Sequence, residues 1–216
     1  MKRYLLIILF TFPLFSFAQK SKNFFEGGLL LGFNASQVDG DILDGFHKIG
    51  LNAGAFGGFP IFRKNLFIQF ELLYSQKGSR MTSNQIFNNS NPNANYVLTL
   101  NYAEIPILIS YHDKDAKTRL SAGISVSRLF SVNEEINHEA TPGAIDYFKK
   151  RDICWLGDIS FMATKHIGFG MRYSYSIVYI RNFADYTYNG TGNPLNPYFG
   201  TNQFNKYVSV RGIYLF

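Results

Sequence analysis

Lys206-Tyr207-Val208-Ser209-Val210-Arg211-Gly212-Ile213-Tyr214-Leu215-Phe216 is the stretch on which the fold turns. Val208, Val210, Gly212, Tyr214 and Phe216 fall on one side of it, and Tyr207, Ser209, Arg211, Ile213 and Leu215 on the other. A period of two over this length is a strand, because successive side chains of an extended chain point to opposite faces. One face is apolar throughout, while its neighbour carries an arginine. A strand with lipid on one side and a barrel interior on the other has a use for both faces. The last strand of a soluble barrel alternates as well, so the rest of the chain has to decide.

The opposite end of the sequence shifts that balance. Met1-Lys2-Arg3 is basic, Tyr4 to Phe17 is an apolar run, and Ser16-Phe17-Ala18 places small residues where a signal peptidase reads. Residues 1–18 are therefore expected to be a secretory signal peptide cleaved after Ala18, with residues 19–216 forming one barrel domain. The run is short for a retained span, and no cysteine follows it to carry a lipid anchor. Twenty-two Phe and 14 Tyr stand beside 19 Gly, and the single cysteine, Cys154, can form no internal disulfide. No later segment offers about 18 continuous apolar residues, so a membrane crossing by helices is not expected. Barrel strands hide their apolar residues in short alternating segments, so a mean hydropathy of -0.06 is compatible with them. The net charge of +6 includes Lys2 and Arg3. The remainder is scattered, without the basic stripe that nucleic acid requires.

Seven more segments alternate in the same way: Phe25–Asn34, Ile49–Phe59, Leu66–Lys77, a strand within Tyr96–Tyr111, Thr118–Leu129, Asp152–Phe161 and Ile167–Tyr179. Pro106 interrupts the fourth and is expected to mark a bulge or a locally unpaired position. The links at Ala35–Lys48, Gly78–Ala94, Phe130–Arg151 and Ile180–Asn205 read as long and polar, and every second link as short. Outer-membrane barrels have this rhythm, with an even strand count, short periplasmic turns and longer external loops. Backbone groups in lipid must all be paired within the protein, so the strands have to close on themselves. The fold expected is all-β: an eight-stranded antiparallel transmembrane up-and-down β-barrel, integral to the cell outer membrane, with its long loops extracellular.

Four stretches carry a resemblance: Gly-Gly-Leu-Leu-Leu-Gly-Phe-Asn (Gly27 to Asn34), Gly-Leu-Asn-Ala-Gly-Ala-Phe (Gly50 to Phe56), Phe-Glu-Leu-Leu-Tyr-Ser-Gln-Lys-Gly (Phe70 to Gly78) and Tyr-Ala-Glu-Ile-Pro-Ile-Leu-Ile (Tyr102 to Ile109). The chain resembles the PorT-like outer-membrane β-barrel proteins of Bacteroidetes over nearly all of its mature length, and the last two stretches are the most diagnostic. The resemblance implies the fold and the location. It brings no catalytic residues, and some relatives belong to a protein secretion and gliding apparatus.

The assigned faces turn Glu71, Glu104, Asp158, Arg119, Arg172 and Arg211 inward. An eight-stranded barrel is just wide enough for side chains to fill it, so these charges are expected to pair as an interior network that blocks the lumen. Arg172 and Arg211 should lie on adjacent strands, offset by Glu71, Glu104 or Asp158. No catalytic, cofactor or metal site is expected: the four histidines lie in separate connections, and inward-facing Cys154 reads as a packing residue. Phe216 is expected to act as a C-terminal assembly signal. Tyr74, Tyr111, Trp155, Tyr173, Tyr175 and Tyr214 suit the aromatic girdles at the lipid boundaries.

Two classes of function remain. The first is a non-enzymatic barrel whose loops engage a partner protein, glycan or exported substrate. The second is a membrane enzyme acting on lipid or peptide at the rim. Expected partners are outer-membrane lipid, the barrel-assembly machinery and other membrane or secretion proteins. Asn182–Phe199 is the loop best suited to contact, because Phe183, Tyr186, Tyr188 and Tyr198 are interleaved with Asn189, Asn193 and Asn196.

Overall fold

The computed structural model describes residues 25–41, 43–61, 65–82, 95–113, 115–182 and 199–216. The expected signal peptide, the tip of the loop after Gly78 and the aromatic loop at 183–198 lie outside the described residues.

The strands are β1 (Glu26–Asp41), β2 (Lys48–Pro60), β3 (Leu66–Arg80), β4 (Tyr96–Asp113), β5 (Thr118–Ile136), β6 (Glu139–Ala140), β7 (Arg151–Met162), β8 (Ile167–Ser176) and β9 (Phe199–Leu215). The two-residue β6 only folds back on the end of β5. The other eight pair antiparallel with their sequence neighbours, and β9 returns to β1 from Gly28↔Leu215 out to Asp41↔Phe199. The sheet therefore has no free edge, and the eight strands form a closed up-and-down transmembrane barrel. Both described ends of the chain and the short turns lie at one rim, called here the terminal rim. The long connections leave from the other.

At Pro106 the ladder between β3 and β4 stops at Phe70↔Ile107 and resumes at Leu73↔Glu104 in the same register. On the other side Pro106 still pairs with Ser125. The proline has no N–H to give, so one edge of β4 is locally unpaired without a slip. Close strand approach also needs Gly54, where a Cβ would press into the carbonyl oxygen of Leu72.

The barrel has two storeys of opposite polarity. In β4, Ile105, Ile107, Ile109 and Tyr111 are exposed on the outer face, while Glu104, Ser110 and His112 are buried inside. Toward the long-loop rim this reverses: Tyr96, Leu98, Leu100 and Tyr102 are buried inside, and Thr99 and Asn101 lie outside. The first arrangement suits lipid around a polar lumen, and the second suits water around an apolar core. Val38, Leu43, Met81, Leu129, Phe148 and Ile180 complete that core.

The upper storey corrects the expected boundaries. Ala35–Asp41 continues β1 instead of opening a long loop, because β9 pairs with it all the way to Asp41. Phe130–Ile136 likewise extends β5 against β4. The expected charged loop at Phe130–Arg151 also holds a 3-10 turn, Ala144–Tyr147, after which Phe148 is buried in the core. In the other direction, β8 ends at Ser176 rather than Tyr179.

Candidate functional site

Among the described residues, three groups of charged side chains meet inside the barrel, most of them turned inward by strand alternation. Nearest the terminal rim, Arg172 on β8 grips Glu71 on β3 across the lumen through Nη1 and Nη2, at 2.8 and 2.7 Å. The same guanidinium donates to Asp158 Oδ2 from Nε at 3.1 Å and from Nη2 at 2.8 Å. Arg211, directly cross-strand from Gly170, reaches Glu71 at 3.4 Å and also donates to Asp158. Two planar forks thus meet two carboxylates, a geometry that favours arginine over lysine.

The second group is centred on Lys77, which is fully buried on β3. Its ammonium lies 3.2 Å from Glu104 and 3.8 Å from Asp152. It also sits 5.0 and 4.8 Å from the ring centres of Tyr102 and Tyr207, where the ring faces add to its stabilisation. Tyr207 OH donates to Glu104 at 3.1 Å, and Asn205 donates to Asp152 at 2.8 Å. Cys154 is fully buried here, with its thiol 3.5 Å from Asp152. The third group belongs to the upper storey: Tyr96 OH and both terminal nitrogens of Arg181 donate to Glu134, at 2.8, 3.0 and 3.0 Å. Phe148 covers the Arg181 guanidinium at 3.7 Å.

The six inward charges expected from the sequence therefore divide. Glu71, Asp158, Arg172 and Arg211 come together, with Arg172 and Arg211 on the neighbouring strands β8 and β9. Glu104 does not join the arginines: it faces Lys77, which the expected network omitted. Arg119 is also separate. It lies at the terminal mouth, 3.0 Å from Glu26. Glu134 and Arg181 were assigned to loops. Apolar alternation on the outer face ends at the membrane boundary, so the signal used to find strands was absent there. The inward run Tyr96, Leu98, Leu100, Tyr102 was the available clue.

The terminal mouth opens into a cavity of about 630 Å³ lined by Glu26, His112, Lys117, Arg119, Met162 and Lys165, among others. His112 belongs to β4 rather than to a turn. It stacks on Phe67 at 4.1 Å and lies 3.0 Å from Ser110. Deeper in, beside Arg211 and Asp158, the open space shrinks to about 20 Å³, which is room for about one water. Among the described residues no group of three or more His, Cys, Asp or Glu side chains could hold a metal ion. At the end of the chain, Phe216 is exposed beyond β9. Its N–H donates to Gly27 O at 3.1 Å, and its ring packs edge-on against Tyr214.

At the opposite rim, Asp41 lies eight residues beyond Phe33, the last strongly exposed apolar residue of β1, and so stands clear of the lipid belt. Burial pushes its carboxyl up to about 7, against the hydrogen bonds of Ser79 and the Leu43 N–H.

Among solved structures, the chain is similar to the attachment invasion locus protein Ail of Yersinia pestis, at 10% identity over 88% of this chain and 98% of that one, with a TM-score of 0.48. A second structure of Ail, in complex with the heparin analogue sucrose octasulfate, gives 8% identity over 89% and 99%, with a TM-score of 0.47. Neisserial surface protein A gives 12% identity over 89% and 97%, with a TM-score of 0.47. No curated protein matches. The profile of the family described as outer membrane protein beta-barrel domain matches residues 17–180, about three quarters of the sequence. The chain belongs to this family of outer-membrane β-barrel proteins.

Proposed function

We propose that the protein is a non-enzymatic outer-membrane barrel that engages a partner at its long-loop rim and leaves its lumen closed. The single observation that carries this reading is the Arg172–Glu71–Asp158–Arg211 lock, with about 20 Å³ of open space beside it. Selective conduction needs a continuous wet path. A lumen whose charges are bound to one another offers neither that path nor free groups for catalysis, and the Cys154 thiol is buried among them. Surfaces held by loops on a rigid scaffold are then the remaining place for recognition. In this orientation the long connections face the outside of the cell and the terminal rim faces the periplasm.

The finer family reading is the PorT-like barrels of Bacteroidetes. Its two most diagnostic stretches lie side by side, Phe70–Gly78 in β3 against Tyr102–Ile109 in β4, with Leu73 opposite Glu104 and Ser75 opposite Tyr102. Some proteins of that family serve a secretion and gliding apparatus, which makes such an apparatus one candidate for the partner. Two measurements test the proposal. Planar-bilayer recordings of the purified barrel should show no sustained conductance, and a reproducible open level would overturn the closed lumen. Trimming Asp185–Pro197 to a short Gly/Asn link should leave an inserted barrel that no longer captures its partner in cross-linked native membranes. Capture at wild-type yield would place the contact elsewhere.

A further inference from the structure

The outer wall holds a feature that the closed lumen does not explain. Arg128 on β5 stands directly opposite Arg151 on β7, and both side chains are exposed. The neighbouring pair, Leu129 and Lys150, carries the backbone hydrogen bond at 2.9 Å. The two arginines therefore occupy a non-hydrogen-bonded position, where side chains come closest. Like charges set directly opposite each other weaken a sheet. Among the described residues, neither guanidinium has an acidic partner.

The level at which they stand is set independently. Tyr74, Ala103, Arg128 and Arg151 form one row across four strands. Ala103 is also where β4 changes from an apolar interior to an apolar exterior, so this row marks the edge of the lipid belt. One step toward the terminal rim, Ile105, Val126 and Ile153 form the next row, all exposed. One step the other way, Tyr74 OH and Gln76 both donate to Asn101, at 2.8 and 2.9 Å. The wall thus reads apolar, then doubly cationic, then mixed, where the hydrogen bonds to Asn101 stand beside the exposed Phe130, whose ring lies 6.1 Å from that of Tyr74. A membrane lipid presents acyl chains and then phosphate in the same order as the first two levels.

We infer that Arg128 and Arg151 form a binding site for the phosphate of an anionic lipid in the leaflet at the long-loop rim. Its acyl chains lie along Ile105, Val126 and Ile153. Two guanidinium forks on one phosphate relieve the repulsion between them and give charge-assisted, directional hydrogen bonds. This site goes beyond the rim-recognition reading and does not depend on it.

The test uses the full barrel in neutral detergent, with dioleoyl phosphatidic acid as probe and dioleoylglycerol, which has the same chains without phosphate, as control. Native mass spectrometry should find one tightly retained phosphatidic acid per barrel and no comparable retention of dioleoylglycerol. The double variant Arg128→Gln/Arg151→Gln should lower that occupancy about tenfold or more, while the control Lys117→Gln/Lys165→Gln, at the opposite rim, leaves it unchanged. Heat-modifiable gel migration shows that each variant is folded. Equal retention by the Arg128/Arg151 variant overturns the site. So does displacement of the lipid by millimolar inorganic phosphate, which would mark a free-anion site instead. An equal loss in the Lys117/Lys165 control overturns it as well, since net charge alone would then be responsible.

Discussion

Replacing Arg172 with Leu removes the centre of the lower lock. The guanidinium makes two hydrogen bonds to Glu71 and two to Asp158, all within the barrel. Without it, two carboxylates share Arg211, which contacts Glu71 only at 3.4 Å. Breaking a buried ion pair by removing one partner costs about 3–5 kcal/mol. Four charge-assisted hydrogen bonds are lost at once, and Glu71 and Asp158 are left facing each other in a closed space, so the cost should fall within that range. Urea unfolding of the barrel in lipid vesicles, followed by tryptophan fluorescence from Trp155 and by gel mobility, measures it. Arg172→Leu combined with Glu71→Leu restores the charge balance with Arg211 on Asp158, and should cost less than the single change. A loss below about 0.5 kcal/mol would refute the reasoning.

Asp41 carries a pH dependence of its own. With its folded carboxyl at about 7 and an unfolded value of 3.8, its contribution is fully present below about pH 4 and is lost as pH rises through about 7. Hydrogen exchange at the Asp41–Lys48 end of the first hairpin, corrected for intrinsic rates, should therefore speed up between about pH 4 and 7 and level off above. Asp41→Asn should remove that dependence, and an unchanged profile would count against it. Deleting Phe216 should reduce the yield of heat-modifiable barrel in the outer membrane, because it removes the exposed aromatic next to Tyr214. Wild-type levels of inserted protein would deny it an assembly role.

What could be read from the sequence follows the solvent on each side of the wall. Where lipid meets the barrel, Leu29, Leu31 and Phe33, or Ile105, Ile107 and Ile109, had to be apolar, and so strands and facing were legible for all eight. Above the belt both faces of the sheet meet mixed surroundings. Ser36 and Gln37 are buried in β1, yet they look like loop residues because they are polar. Glu134 and Arg181 were hidden for the same reason, since each is tolerable only because the other is there. Interior facing could be read from alternation, but partnership could not. Strand tilt and stagger decide which inward charges share a level, so Lys77 and not an arginine meets Glu104.

The span of the lower lock bears on how the barrel reaches its membrane. Glu71 lies 101 residues from Arg172 and 140 from Arg211 along the chain, and its strand, β3, is separated from β9 by β2 and β1. These partners can meet only when β9 docks on β1. A sheet inserted with that seam still open would expose Arg172, Arg211, Lys77 and their carboxylates to hydrocarbon, where unpaired charge is penalised heavily. The seam is thus a gate in time as well as in space. Penetration of the bilayer core and closure of β1 on β9 must proceed together, with the charged face kept wet until the last strand arrives. Contacts of such long sequence separation make for slow closure, and the rate-limiting step of assembly should move when the lock is altered, even though none of its residues touches lipid.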